Sequence, residues 1–147
     1  LAPLMDLAVR PVRGQMILYR GAPETLQRIV LSGGRYLIPR RDGRILAGST
    51  LEDAGFARET TPAARRDLEA AARAIAPGLA ALEVEHHWAG LRPGSPDGVP
   101  YIGPVPGVAG LFVNAGHYRN GVVLGLASAR LAADLLLGAE PILDPAP

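Results

Sequence analysis

The 147-residue sequence contains no cysteine and no lysine; all fifteen of its basic residues are arginine. Without cysteine there is no disulfide, no zinc thiolate and no thiol nucleophile, a usage that fits a reducing compartment such as the cytoplasm. Without lysine a P-loop, a Schiff-base enzyme and a Ser-Lys dyad are all excluded within this chain. The formal net charge is only +1, so there is no electrostatic footprint for nucleic acid. The longest apolar stretch, Gly121 to Leu137, is broken by Ser128, Arg130 and Asp134 and falls short of the roughly 20 residues of a membrane span. No metal site is expected: His86 and His87 are adjacent, so on a strand they point to opposite faces, and His117 has no helical partner four residues on. No G-x-S-x-G elbow marks a serine hydrolase. The chain opens LAPLMDLAVR, with neither an initiator methionine nor a signal-like start, which suggests a piece of a longer protein.

What is present reads as an α+β fold. A chain of this length buries close to 70% of its unfolded surface, enough for a core. Val9 to Arg20 reads as a strand with a bend at Pro11 and Gly14. Asp42-Gly43 between two apolar runs predicts a hairpin, placing Tyr36 and Ile38 on one face. Thr61 before Pro62 predicts an N-cap, and Leu68, Ala71, Ala72 and Ile75 recur at helical spacing until Pro77-Gly78. A strand LEVEHHWAGL, a turn-rich run, a short strand GLFVNAG and a last helix complete the order. The expected architecture is a mostly antiparallel or mixed sheet with one amphipathic surface helix and a buried C-terminal helix. That last helix is apolar around most of its circumference (Val122, Val123, Leu124, Leu126, Leu131, Leu135, Leu136, Leu137), so it calls for cover on more than one side.

Three side chains and one loop are candidates for chemistry. Arg92 precedes Pro93-Gly94 where a strand gives way to a turn; its planar fork suits a carboxylate, or it ties down the turn. Arg119 precedes the apolar helix and invites the same reading, or pairs with Asp97 or Asp134. Tyr36 is a ligand contact or a half-buried strand tyrosine. The loop from His117 to Gly121 opens a helix whose first N–H groups lack partners and carry partial positive charge, a setting for a phosphate or for a flat ring that becomes negative. Glycines at 116 and 121 allow close approach.

Taken in order, PVRGQ, YLIPRRDGRILAGSTLEDAGF, HHWAGLRPGSPDGVPYIGP and NAGHYRNGVVLGLASARLAADLLLG resemble the FAD-dependent glycine oxidases of thiamine biosynthesis, within the D-amino-acid oxidase and sarcosine oxidase superfamily. The resemblance implies that residues 1–115 belong to the substrate-binding, β-rich domain and residues 116–147 to the flavin-contacting loop and the helix that packs on the FAD domain. No G-x-G-x-x-G follows a strand, so the Rossmann FAD-binding half, the expected partner, lies outside this sequence. By the same resemblance Arg92 grips the substrate carboxylate, Tyr36 hydrogen-bonds it, and Arg119 is a second substrate-side residue. His117, Tyr118, Arg119, Asn120, Gly121, Val122 and Val123 correspond to the flavin contact. Tyr118 stands where the family often has phenylalanine, and Leu51 where a methionine lines the pocket. The implied reaction takes a hydride from the α-carbon of glycine, a small D-amino acid or an N-methyl amine to the flavin; oxygen becomes hydrogen peroxide, and the imine hydrolyses to a 2-oxo acid. The rivals are a sarcosine oxidase or D-amino-acid dehydrogenase relative, and a flavin-free binding module, with a homo-oligomer compatible with each.

Overall fold

The computed structural model describes residues 7–145. It contains seven strands and two α-helices: β1 (Arg10–Tyr19), β2 (Val30–Ser32), β3 (Arg35–Pro39), β4 (Ile45–Gly48), α1 (Pro62–Ile75), β5 (Val84–Gly94), β6 (Tyr101–Pro104), β7 (Phe112–Ala115) and α2 (Gly121–Leu137). A five-stranded sheet has the order β2-β3-β4-β1-β5, and β6 and β7 form a second, two-stranded sheet. The α+β reading is correct, and none of these helices is long and apolar enough to cross a membrane. The chain divides into two compact units, Val12–Leu91 on the one hand and residues 7–11 with 92–145 on the other. The compact units therefore do not follow the 1–115 and 116–147 division, which is one of roles. The physical reason is that β6 and β7 pair with each other and carry α2.

In the Val12–Leu91 unit, β3 and β4 are antiparallel, with Tyr36 opposite Gly48 and Pro39 opposite Ile45. The connection is a tight turn: the Gly43 N–H donates to the Arg40 carbonyl at 3.0 Å and the Arg40 N–H to the Arg44 carbonyl at 2.8 Å. Gly43 has φ +88°, and a Cβ there would come within 2.8 Å of the Gly21 carbonyl oxygen, so only glycine fits. A second hairpin joins β2 to β3 through Gly33-Gly34, both at positive φ. The sequence reading missed it, because three residues are too few to show alternation. The segment after α1 also differs: Pro77–Ala81 is a short 3-10 turn that delivers Leu79 to the core.

Helix α1 starts as expected. The Thr61 side chain accepts from the Ala64 N–H at 3.2 Å, with Pro62 in the first turn. Leu68 and Ala72 meet Ile17, Tyr19, Leu37, Ile45 and Ala47 of the sheet to form the core. Burying one such aliphatic side chain contributes about 1.5–3 kcal/mol.

A polar network at the edge of this core was not foreseen. The Glu52 carboxylate accepts from Arg13 Nε at 3.0 Å, from the second Arg13 nitrogen at 2.6 Å and from Gln15 Nε2 at 2.9 Å, and it is also bonded by the Thr50 hydroxyl. Burial pushes the Glu52 carboxyl upward, but the hydrogen bonds from Thr50, Arg13 and Gln15 together outweigh it and hold the group below its ordinary value. Because the folded-state pKa is depressed, the stabilisation is fully present above the unfolded value and is lost as pH falls through the folded one. The unfolding midpoint of the chain should therefore drop as the pH is lowered below about 4. Glu52→Gln should cost roughly 1–3 kcal/mol at neutral pH and flatten that acid limb. Thermal melts from neutral pH to acid check this; superimposable profiles for the two proteins contradict it.

Candidate functional site

The unit of residues 92–145 holds most of the candidate residues. Strand β5 runs through to Gly94, so Arg92 lies within the strand end rather than in the turn after it. Its side chain is half-buried. The next two residues bind the loop that opens α2: the Tyr118 N–H donates to the Pro93 carbonyl at 2.9 Å, and Gly94 bridges antiparallel to His117. The structure thus ties the backbone beside Arg92 to the loop His117–Gly121.

That loop is tightly specified. Gly116 has φ +82°, and a Cβ there would press on Tyr101 at 3.3 Å and Ser95 at 3.4 Å. Its lack of a side chain serves internal packing, and the expected open approach at this glycine is not found. Gly121 is exposed and does leave its backbone accessible. Tyr118 adopts φ +48°, a left-handed conformation uncommon for a tyrosine. The Asn120 N–H donates to the His117 carbonyl at 2.9 Å, closing the turn before the helix.

The start of α2 carries no side-chain cap, since Asn120 makes no capping hydrogen bond. The helix ladder begins with the Leu124 N–H donating to the Asn120 carbonyl at 2.8 Å. The N–H groups of Gly121, Val122 and Val123 come before it, at the positive end of the helix. All three residues are exposed, Val122 at 98%. Two polar atoms, Nε2 of His117 in the loop and Oγ of Ser95, whose Cβ lies close to Gly116, are buried without a hydrogen-bond partner among the described residues.

Arg119 is exposed and pairs with neither residue considered from the sequence. Asp134 is bound by Arg130 Nε at 2.7 Å, and Asp97 accepts from the Val99 N–H. Among the described residues, helix α2 is covered on one side only. Leu124, Ser128, Leu131 and Leu135 face a groove of about 1000 Å³ shared with β6, whereas Val122, Val123, Leu126, Leu136 and Leu137 are exposed. Among the described residues its other face is uncovered, in keeping with the expected need for cover on more than one side, because a two-stranded sheet covers only one face of a helix.

Tyr36 belongs to the other unit. It is half-buried on β3, where its ring lies over Gly48: a Cβ at that glycine would come within 2.9 Å of the phenol. The hydroxyl donates weakly to Met16 Sδ at 3.9 Å. His87 Nε2 is buried without a hydrogen-bond partner among the described residues, and burial, with help from Arg65, lowers its pKa; His86 is largely exposed. Among the described residues no cluster of three acidic or histidine side chains could hold a metal.

The FAD dependent oxidoreductase family matches residues 1–135. The chain belongs to that family. It is 60% identical over 148 residues to the glycine oxidase of Pseudomonas aeruginosa, a match covering 100% of this chain and 41% of that protein. It is 39% identical over 139 residues to the bifunctional protein ThiO/ThiG of Synechocystis sp., covering 91% of this chain and 21% of that one. The solved glycine oxidase of Geobacillus kaustophilus superposes with a TM-score of 0.89 at 35% identity, over 95% of this chain and 38% of that structure. The chain therefore spans about two fifths of the length of these glycine oxidases. The α2 start fits part of the family's FAD: an uncapped, exposed helix N-terminus with an open glycine suits the polar edge of a flat ring. No strand-associated G-x-G-x-x-G is present to hold a pyrophosphate.

Proposed function

We propose that this chain forms the substrate-binding and flavin-facing part of an FAD-dependent amino-acid oxidase of glycine-oxidase type, acting in the cytoplasm with an FAD-binding segment as its partner. The observation that carries the reading is the backbone linkage between Pro93-Gly94, beside Arg92, and His117-Tyr118, which opens α2. The linkage joins the backbone that bears Arg92 to the electropositive helix start, which supports a shared site for the guanidinium and the helix. In this reading Arg92 holds the substrate carboxylate with its fork, Tyr36 donates a hydrogen bond to it, and Arg119 adds positive charge on the substrate side. His117 to Val123 hold one edge of the flavin through backbone N–H groups, which favour negative charge there. When bound, FAD supplies acceptance of the hydride from the amino acid's α-carbon and its onward passage to oxygen. The assignment of 1–115 to substrate and 116–147 to flavin contact follows these roles.

The test is a chimera in which the matching segment of the Pseudomonas aeruginosa glycine oxidase is replaced by this chain. It should bind flavin and release hydrogen peroxide with glycine; a flavin-loaded chimera indifferent to glycine and other small amino acids overturns the reading. In that chimera Tyr36→Phe keeps the ring over Gly48 and deletes only the hydroxyl. Its KM for glycine should rise roughly 2- to 150-fold, the range for hydrogen bonds to neutral and charged partners, with the melting temperature unchanged. A lowered melting temperature with unchanged KM would show that the hydroxyl serves Met16 alone.

A further inference from the structure

The polar network around Glu52 lies where β4 departs from its regular register with β1. Met16 stands opposite Gly48 and Arg13 opposite Glu52. Two residues of β1, Gly14 and Gln15, thus lie opposite three on the other strand, so the stretch Ser49–Leu51 contains a one-residue bulge. The Thr50 hydroxyl fills it, accepting from the Gln15 N–H at 2.8 Å, while the Thr50 N–H donates to the Gln15 carbonyl at 3.2 Å. Beyond the bulge the ladder resumes, Arg13 and Glu52 exchanging backbone bonds at 2.9 Å. The Glu52 carboxylate gathers Arg13, Gln15 and Thr50, and Gln15 Oε1 accepts from the N–H of Thr61, the cap of α1, at 2.9 Å.

The extra residue decides which face Leu51 takes. In an unbroken ladder Leu51 would stand opposite Arg13 and share the side of Gln15 and Ile17, which packs on α1. With the bulge, Glu52 takes that side. Leu51 moves to the face of Tyr36, Gly48 and Met16, where it is 50% exposed. Resting on the reading of Tyr36 as a substrate contact, we propose that Glu52 is a positioning residue of the oxidase site: its clamp on the bulge holds Leu51 on the Tyr36 face, fixing one wall of the space for a small amino acid. Arg13, Gln15 and Thr50 serve the same clamp.

A double-mutant cycle in the chimera tests this. Leu51→Ala and Glu52→Ala should each raise the KM for glycine about tenfold with kcat within about threefold, and the double variant should be little worse than either, because Glu52 acts through Leu51. Thr50→Val, which deletes only the bulge-filling hydroxyl, should raise KM about threefold with the same non-additivity, and it stands in if Glu52→Ala does not fold. Flavin occupancy and visible spectrum should stay those of the parent. Multiplying effects on KM, or a fall in flavin occupancy with KM unchanged, overturn the positioning role alone. A flavin-loaded parent chimera that leaves glycine unoxidised overturns the oxidase reading and this role with it.

Discussion

Replacing Arg92 by alanine in the chimera is expected to lower kcat/KM for glycine by roughly 30-fold to several thousand-fold. This follows from the cost of truncating one partner of a desolvated, hydrogen-bonded charge pair, about 2–5 kcal/mol. On the proposed reading, closure of the FAD-binding segment over the half-buried Arg92 completes the desolvation that a cost of that size requires. Arg92 sits at the end of a strand rather than on a free loop. The two residues after it are fixed by hydrogen bonding and bridging to Tyr118 and His117. A side chain rooted in this way meets a carboxylate with little further ordering, so most of the interaction survives as affinity. The loss should be confined to substrates that carry the carboxylate. Simple amines that lack the carboxylate should be nearly indifferent to the substitution. Steady-state kinetics on both substrate types decide the matter, and an equal loss for amines and amino acids would count against a carboxylate grip.

The second large effect concerns the 147-residue chain by itself. Purified alone it should be colourless, inactive and self-associated. On the proposed reading it offers the flavin one loop and one helix start, and these must offset the entropy of immobilising a large flexible cofactor. Meanwhile Val122, Leu126 and Leu137 leave an apolar stripe in water on α2, flanked by Val123 and Leu136. Each such side chain gains about 2 kcal/mol on burial, and contiguous exposed patches of this kind drive association. Light scattering should report a mass above that of the monomer, and Leu126→Glu should lower it. A strictly monomeric chain carrying near-stoichiometric flavin would overturn this expectation.

Sequence patterns made the elements with strong local chemistry legible. The Asp42-Gly43 hairpin, the Thr61-Pro62 helix start and the apolar circumference of α2 each rest on short-range rules, and each is present. The elements that escaped lack such rules. Strand β2 has three residues, and β6 lies within a proline- and glycine-rich run that reads as turns. Their pairing is decided by partners distant in sequence. The same limit applied to the site. Arg92, Arg119 and the His117–Gly121 loop could be picked out as polar residues at element ends. The bonds from Pro93-Gly94 to His117-Tyr118 could not, because no spacing announces a contact across more than twenty residues. The Glu52 clamp was hidden for a similar reason: Arg13, Gln15 and Thr50 are unremarkable singly, and their meaning comes from a register shift of one residue.

If Arg92 and the start of α2 place a carboxylate beside a flavin, a titration of the flavin-loaded chimera with acetate, followed by visible absorbance, should show it. Acetate carries the carboxylate and has nothing to oxidise, so it reports binding alone. The flavin spectrum should change saturably with acetate, with a dissociation constant that rises at least 30-fold in Arg92→Ala, the lower end of the range for an uncompensated charge pair. A spectrum that does not respond to acetate, or one that responds equally in the parent and in Arg92→Ala, would contradict that placement.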